Sequence, residues 1–262
     1  MTILDEIAAY TKERIAAEKD KLPLRELRSF AESMPDDGFR FEKTLKKDDI
    51  TFICECKKAS PSKGVITEEF PYLTIADEYD KAGADAISVL TEPKWFMGQD
   101  AYLQEIAEQV SIPCLRKDFT IDEYMIFQAK VFGASAVLLI VSLLPGDVLR
   151  EYREIADSLG LSALVEAHDE AEIETALDSG ARIIGVNNRN LKDFSVDTSN
   201  SRRLREMVPP ELVFVAESGI KTADDVSAMR EIGVDALLVG ETLMRADDKR
   251  KMLEQLKGGK HE

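Results

Sequence analysis

Cysteine is scarce in this 262-residue sequence, which has only Cys54, Cys56 and Cys114. An odd number, with two of them flanking Glu55 inside an apolar run, suits neither a disulfide framework nor a four-ligand zinc site. They read as small buried hydrophobes in a reducing compartment. Long apolar runs are missing as well. Residues 1–21 mix acidic and basic side chains with no stretch of signal length, and no later run could span a bilayer. The expectation is a soluble, cytoplasmic protein. Basic residues are the minority, 34 Lys and Arg against 50 Asp and Glu, for a formal net charge of −16. Nucleic acid and anionic membranes are repelled at long range by such a chain and are excluded as partners. A small anionic ligand is compatible only with a locally positive pocket. No Gly/Ser linker or low-complexity tract marks a second domain.

What is present is a repeat. A helix-ending glycine followed within a few residues by an apolar run occurs four times, in 82-AGADAISVL-90, 132-FGASAVLLI-140, 179-SGARIIGVN-187 and 232-IGVDALLVG-240. The spacing of roughly fifty residues equals two βα units. Between these runs lie 50-ITFICEC-56, 112-IPCLRKD-118, 162-SALVEAH-168 and 212-LVFVAES-218, giving eight strands in all. Helical periodicity fills the gaps, for example in 73-LTIADEYDKA-82, 121-IDEYMIFQAKV-131, 147-DVLREYREIADSL-159 and 222-TADDVSAMREI-232. Strict alternation predicts a parallel sheet, and eight repeats fit an α/β protein of the (β/α)8 TIM barrel type better than an open doubly wound sheet. The barrel is expected over residues 50–256. Residues 1–49 form an N-terminal helical extension of two helices, over 1–21 and from 24 to 34, covering one barrel end. The tail 257–262 is expected to be disordered.

Strand parity points to a site. Side chains alternate between barrel interior and helix layer, so Ile53, Glu55 and Lys57 share one face while Phe52, Cys54 and Cys56 take the other. By the same count Leu115 goes with Lys117 and Phe119, Leu164 with Glu166, and Val215 with Glu217. Every odd strand ends in an inward ionisable residue, at the barrel end where this fold carries its catalytic groups. A buried ion-pair network that merely closes the barrel mouth is the alternative, at a high desolvation cost. After strand 6, Asn187 and Arg189 continue the inward parity; an Asn-rich turn would look the same. Gly219 and Gly240 follow strands 7 and 8, where the fold commonly cradles phosphate, and a short helix is expected from Glu241 to Met244.

The motifs 55-ECKKASPSKG-64, 115-LRKDF-119, 164-LVEAH-168, 185-GVNNRNL-191, 216-AESGI-220 and 238-LVGETLM-244 resemble, in order and spacing, those of the indole-3-glycerol phosphate synthase family. The resemblance runs along essentially the whole chain. It implies conversion of 1-(o-carboxyphenylamino)-1-deoxyribulose 5-phosphate to indole-3-glycerol phosphate, CO2 and water, without cofactor or metal, by a monomer. It further implies Lys117 as general acid and Glu166 as general base, with Glu55 a second candidate. Lys57 is implied to engage the substrate carboxylate and serve as a further proton donor. Asn187, Arg189, Glu217 and Ser218 match substrate-lining positions, and Ser60, Gly219, Gly240 and Glu241 phosphate-contacting ones. Phe96, Phe119, Leu138 and Leu164 match the pocket for the anthranilate ring, although ordinary core packing explains the two leucines as well. Lysine acids are tuned by neighbouring cations and partial desolvation, which is the environment expected around Lys117. The family's extension lies over the catalytic face, and Lys63 is expected to help close the site. An aldolase with Lys117 as Schiff-base nucleophile and a non-catalytic sugar-phosphate-binding barrel are the rival readings.

Overall fold

The computed structural model describes residues 2–191 and 193–258. Eight parallel strands, here β1 to β8, close into one barrel: Thr51–Cys56, Ala86–Leu90, Cys114–Lys117, Ala136–Ile140, Ser162–Ala167, Ile183–Asn187, Val213–Glu217 and Ala236–Val239. Closure is made by β1 against β8, with Thr51 opposite Ala236 and Cys54 opposite Val239. The four helix-ending glycines, Gly83, Gly133, Gly180 and Gly233, all have the positive φ that ends a helix in the left-handed conformation. Two of the motifs also carry an aspartate that ties neighbouring units together. Asp85 accepts the N–H of Phe52 at 2.9 Å, and Asp235 that of Phe214 at 2.7 Å.

The expected alternation of faces is seen. Phe52, Cys54 and Cys56 pack in the layer between strands and helices, whereas Ile53, Leu115, Leu138, Leu164, Val215 and Leu238 fill the barrel interior. All three cysteines are free and buried. Among the described residues no helix is long and apolar enough to cross a membrane.

The N-terminal extension departs from the expectation in having three helices and serving both barrel ends. Helix α1 (Ile3–Lys21) starts with a capping box between Thr2 and Asp5. It crosses the C-terminal ends of the strands, where Arg14 donates to Asp118 at 2.8 Å. Helix α2 (Leu24–Ser33) packs on the helix Glu123–Val131. Helix α3 (Arg40–Leu45) turns to the opposite end, where Phe41 and Leu45 join the interior cluster as a plug. Glu42 fastens it there, its N–H on Ser162 Oγ at 3.2 Å and its carboxylate on Arg182 at 2.7 Å. Of the tail, Lys257 donates to Gly83 O at 2.6 Å, and residues 259–262 lie outside the described residues.

Candidate active site

The inward strand ends meet at one mouth. Glu55, near the end of β1, is buried; its carboxylate accepts from Lys57 Nζ at 2.6 Å and from Ser88 Oγ at 3.3 Å. Lys117 closes β3 and bridges two carboxylates, donating to Glu166 of β5 at 2.9 Å and to Glu217 of β7 at 3.0 Å. Asn187, at the end of β6, donates to Glu166 Oε1 at 3.2 Å and accepts from Ser218 Oγ at 3.0 Å and from the Arg189 N–H at 3.0 Å. Four strands thus contribute to a single hydrogen-bonded set.

The charges in this set are unequal. Burial opposes the ammonium of Lys117, but Glu166, Glu217 and Glu55 outweigh it and hold its pKa above the ordinary lysine range. This corrects the expectation of neighbouring cations, because the side chains that pair with Lys117 are carboxylates. Burial also opposes ionisation of Glu166, yet Lys117 and His168 keep its pKa well below the usual carboxylate range. Glu217 goes the other way: burial pushes it up to about 7, Lys117 counters only in part, and the charge of Glu166 adds to the rise. Its Oε1 is buried with no hydrogen-bond partner.

Around these groups lies a cavity of about 460 Å³, a size suited to a small metabolite. Six basic side chains, Lys57, Lys63, Lys117, Arg189, Lys221 and Arg245, line it together with five acidic ones, Glu55, Asp118, Glu166, Glu217 and Glu241. In a chain of net charge −16, that is the locally positive pocket an anionic ligand requires. One wall is aromatic, with the rings of Phe96 and Phe119 5.8 Å apart and Leu138 beside them. Ser60, Gly219, Gly240 and Glu241 also belong to the lining. A β-carbon on Gly240 would lie 2.5 Å from Glu55 Oε1, and one on Gly219 2.7 Å from Thr198 Cγ2, so a side chain at either position would have to displace its neighbours. The predicted short helix is present as Glu241–Met244, and Glu241 pairs with Arg245 at 3.1 Å and Lys63 at 3.8 Å.

The sequence model of indole-3-glycerol phosphate synthase matches residues 4–256. The chain belongs to the indole-3-glycerol phosphate synthase family. Its relatives of that name include the Ruminiclostridium cellulolyticum protein, 56% identical over 98% of this chain and 99% of its own. The Lacticaseibacillus paracasei protein is 53% identical over 97% and 98%. Among solved structures, thiamine phosphate pyrophosphorylase from Pyrococcus furiosus matches with a TM-score of 0.60 at 20% identity, covering 83% of this chain and 96% of its own. At that identity the likeness concerns the fold alone. As a member of the synthase family the chain is a carboxy-lyase of tryptophan biosynthesis acting on a small phosphorylated substrate.

Within the synthase cavity the structure gathers every residue singled out from sequence except Leu164. Leu164 is fully buried one layer down in the barrel interior and packs as core. Two contributions were not read from the sequence. Helix α1 lays Ile3, Leu4 and Ile7 along the cavity; the resemblance put the extension over the catalytic face but did not single out these side chains. His168 stands 3.3 Å from Glu166 through Nε2, two residues further along the same motif. A carboxylate four residues after a histidine at a helix start was the available signal.

Proposed function

We propose that the cavity catalyses the family's ring closure, decarboxylation and dehydration, with Lys117 as general acid and Glu166 as general base. The observation that carries this reading is the Lys117 bridge between Glu166 and Glu217, an acid kept loaded beside a base kept ionised. Lys117 gives its proton to the ribulose carbonyl oxygen as the aromatic ring carbon attacks the carbonyl carbon. A lysine with a raised pKa is a suitable donor here because the developing alkoxide is a far stronger base than an amine. The carbon–carbon bond to the carboxylate then breaks, CO2 departs and the ring regains aromaticity. In dehydration the hydroxyl leaves as water with a donated proton, and Glu166 takes a proton from the ring-closed intermediate.

Lys57, already within hydrogen-bond reach of Glu55, is assigned to the substrate carboxylate and to proton donation in dehydration. Glu55 orients it and is the second candidate base. Asn187, Arg189, Glu217 and Ser218 position the sugar chain, while Phe96, Phe119 and Leu138 receive the anthranilate ring. The phosphate is assigned to Ser60 and the backbone of Gly219, Gly240 and Glu241. Lys63 and Arg245 neutralise the Glu241 carboxylate that would otherwise repel it.

A Schiff-base aldolase would need Lys117 as a neutral amine, and its carboxylate neighbours oppose that. The deciding experiment supplies the folded protein with the anthranilate-linked deoxyribulose phosphate and follows indole fluorescence. Product formation without a borohydride-trapped adduct is expected. An adduct at Lys117, or no indole product, would reject the assignment.

A further inference from the structure

Glu166 has a neighbour that the acid–base assignment leaves unused. The His168 ring lies between two carboxylates, Nε2 3.3 Å from Glu166 Oε1 and Nδ1 2.9 Å from Glu172 Oε2. Its orientation is set by the helix Glu170–Asp178. Asp169 caps that helix by accepting from the Glu172 N–H at 3.0 Å, and the Glu172 carboxylate turns back to accept from the backbone N–H of His168 at 2.8 Å. Asn200 Nδ2 donates to the His168 carbonyl at 3.1 Å, fixing the other side of the residue. Nε2 is buried and makes no hydrogen bond, and Glu166 Oε1 lies 3.3 Å from it as a charge contact.

A neutral imidazole does not satisfy both neighbours. With one proton it turns a lone pair toward one of the two carboxylates, whereas with two it donates toward each. His168 is a third basic side chain, beside Lys57 and Lys117, in direct contact with the carboxylates of the mouth. Burial opposes the imidazolium, but the carboxylates of Glu166 and Glu172 on its two sides outweigh that and lift its pKa to about 10. A second cavity, of about 640 Å³, opens beside the ring and brings up further charges: Asp5 of α1, Asp169 before the helix Glu170–Asp178, and Arg189 and Asp197 of the segment after β6. Lys117 and Glu217 act on the ring only through Glu166.

We propose that His168 is a positioning residue whose imidazolium, held in place by Glu172, keeps Glu166 ionised and turned toward Lys117. It touches no substrate; it acts through the base. The proposal rests on the assignment of Glu166 as general base.

The chain has two histidines, so 15N-histidine labelling gives two ring spectra, and His168→Gln assigns them. Both ring nitrogens of His168 are expected to be protonated at pH 8, and Glu172→Gln is expected to lower the pH at which one proton is lost. A neutral His168 ring at pH 8 overturns the proposal, whatever the enzyme's activity. In turnover, His168→Gln is expected to lower kcat about ten- to hundredfold with KM little changed, the size typical of groups that orient a catalytic residue. Removing the cation raises the pKa of Glu166, so the acidic limb of the kcat profile should move up by about one pH unit. His168→Ala should regain activity with added imidazole, which the second cavity has room to admit. A His168→Gln profile of unshifted shape marks a structural role only and overturns the proposal. If that variant fails to fold, the same limb is read in Glu172→Gln. Wild-type-like turnover of Glu166→Gln would reject the base assignment instead, while the labelling result stands on its own.

Discussion

Lys117 Nζ lies 2.9 Å from Glu166 Oε2, joining the ends of β3 and β5, two strands that flank β4 and share no ladder. One ammonium therefore compensates carboxylates from two further strands, β5 and β7, and its loss has both a chemical and an electrostatic effect. Lys117→Met is expected to stay folded and to lose about 10²–10⁴ in kcat, the usual contribution of a positioned acid. Glu166→Gln keeps the shape and loses the base, so a fall of similar size should follow. Indole fluorescence with circular dichroism as the folding control measures both. Rates within about tenfold of wild type would remove these residues from the chemistry.

Glu217 makes stability depend on pH in an unusual direction for a carboxylate. Burial raises its pKa from the ordinary 4.5 to about 7, so between those values the folded chain binds more protons than the unfolded one. Its contribution to stability is complete below the lower value and is lost as pH rises through the upper. Above pH 7 the folded protein carries an ionised, buried carboxylate whose Oε1 has no partner. Glu217→Gln is therefore expected to be more stable than wild type at pH 8, by of order 3 kcal/mol if the whole shift is relieved, with the gap closing toward pH 5. Thermal melts of both proteins across that range provide the check; a difference that does not vary with pH would show that Glu217 titrates normally.

Much of this was legible in the sequence because it obeys local rules. The glycine-terminated helices and the period-two alternation of Ile53, Glu55 and Lys57 fixed strand count, order and inward faces without any long-range information. Pairing across the barrel was not legible. That Lys117 meets Glu166 and Glu217, while Glu55 takes Lys57, depends on how the strands stagger around the closed sheet. The plug helix α3 escaped notice because it has only six residues and starts from Phe39 in a left-handed conformation, with no side-chain cap. His168 was hidden for a different reason: its ring direction is decided by Glu172, on the next helix.

Gly240 tests the tightness of the rim. Its φ of −115° is accessible to any residue, so the demand for glycine comes from space alone. A methyl group there would lie 2.5 Å from Glu55 Oε1 and 2.9 Å from Lys57 Nζ. Gly240→Ala should push this ion pair toward the ligand space, raising KM and lowering kcat together. Inorganic phosphate, as a competitive inhibitor, should bind more weakly in the same variant. Unchanged phosphate inhibition would place the phosphate elsewhere.

At the far end of the barrel Phe41 is fully buried against the interior cluster and is not itself part of the cavity lining. Phe41→Ala removes the ring from a closed layer of aliphatic side chains, where little can collapse to fill the gap. A loss of about 3–5 kcal/mol is expected from the missing contacts and the cavity left behind. Because α3 is held separately by Glu42 on Ser162 and Arg182, the helix should stay docked and the catalytic mouth undisturbed. Chemical denaturation should show the lower midpoint, and KM at a temperature where the variant is folded should match wild type. A large change in KM would mean that the two ends of the barrel are coupled through its interior, and that the plug does more than close it.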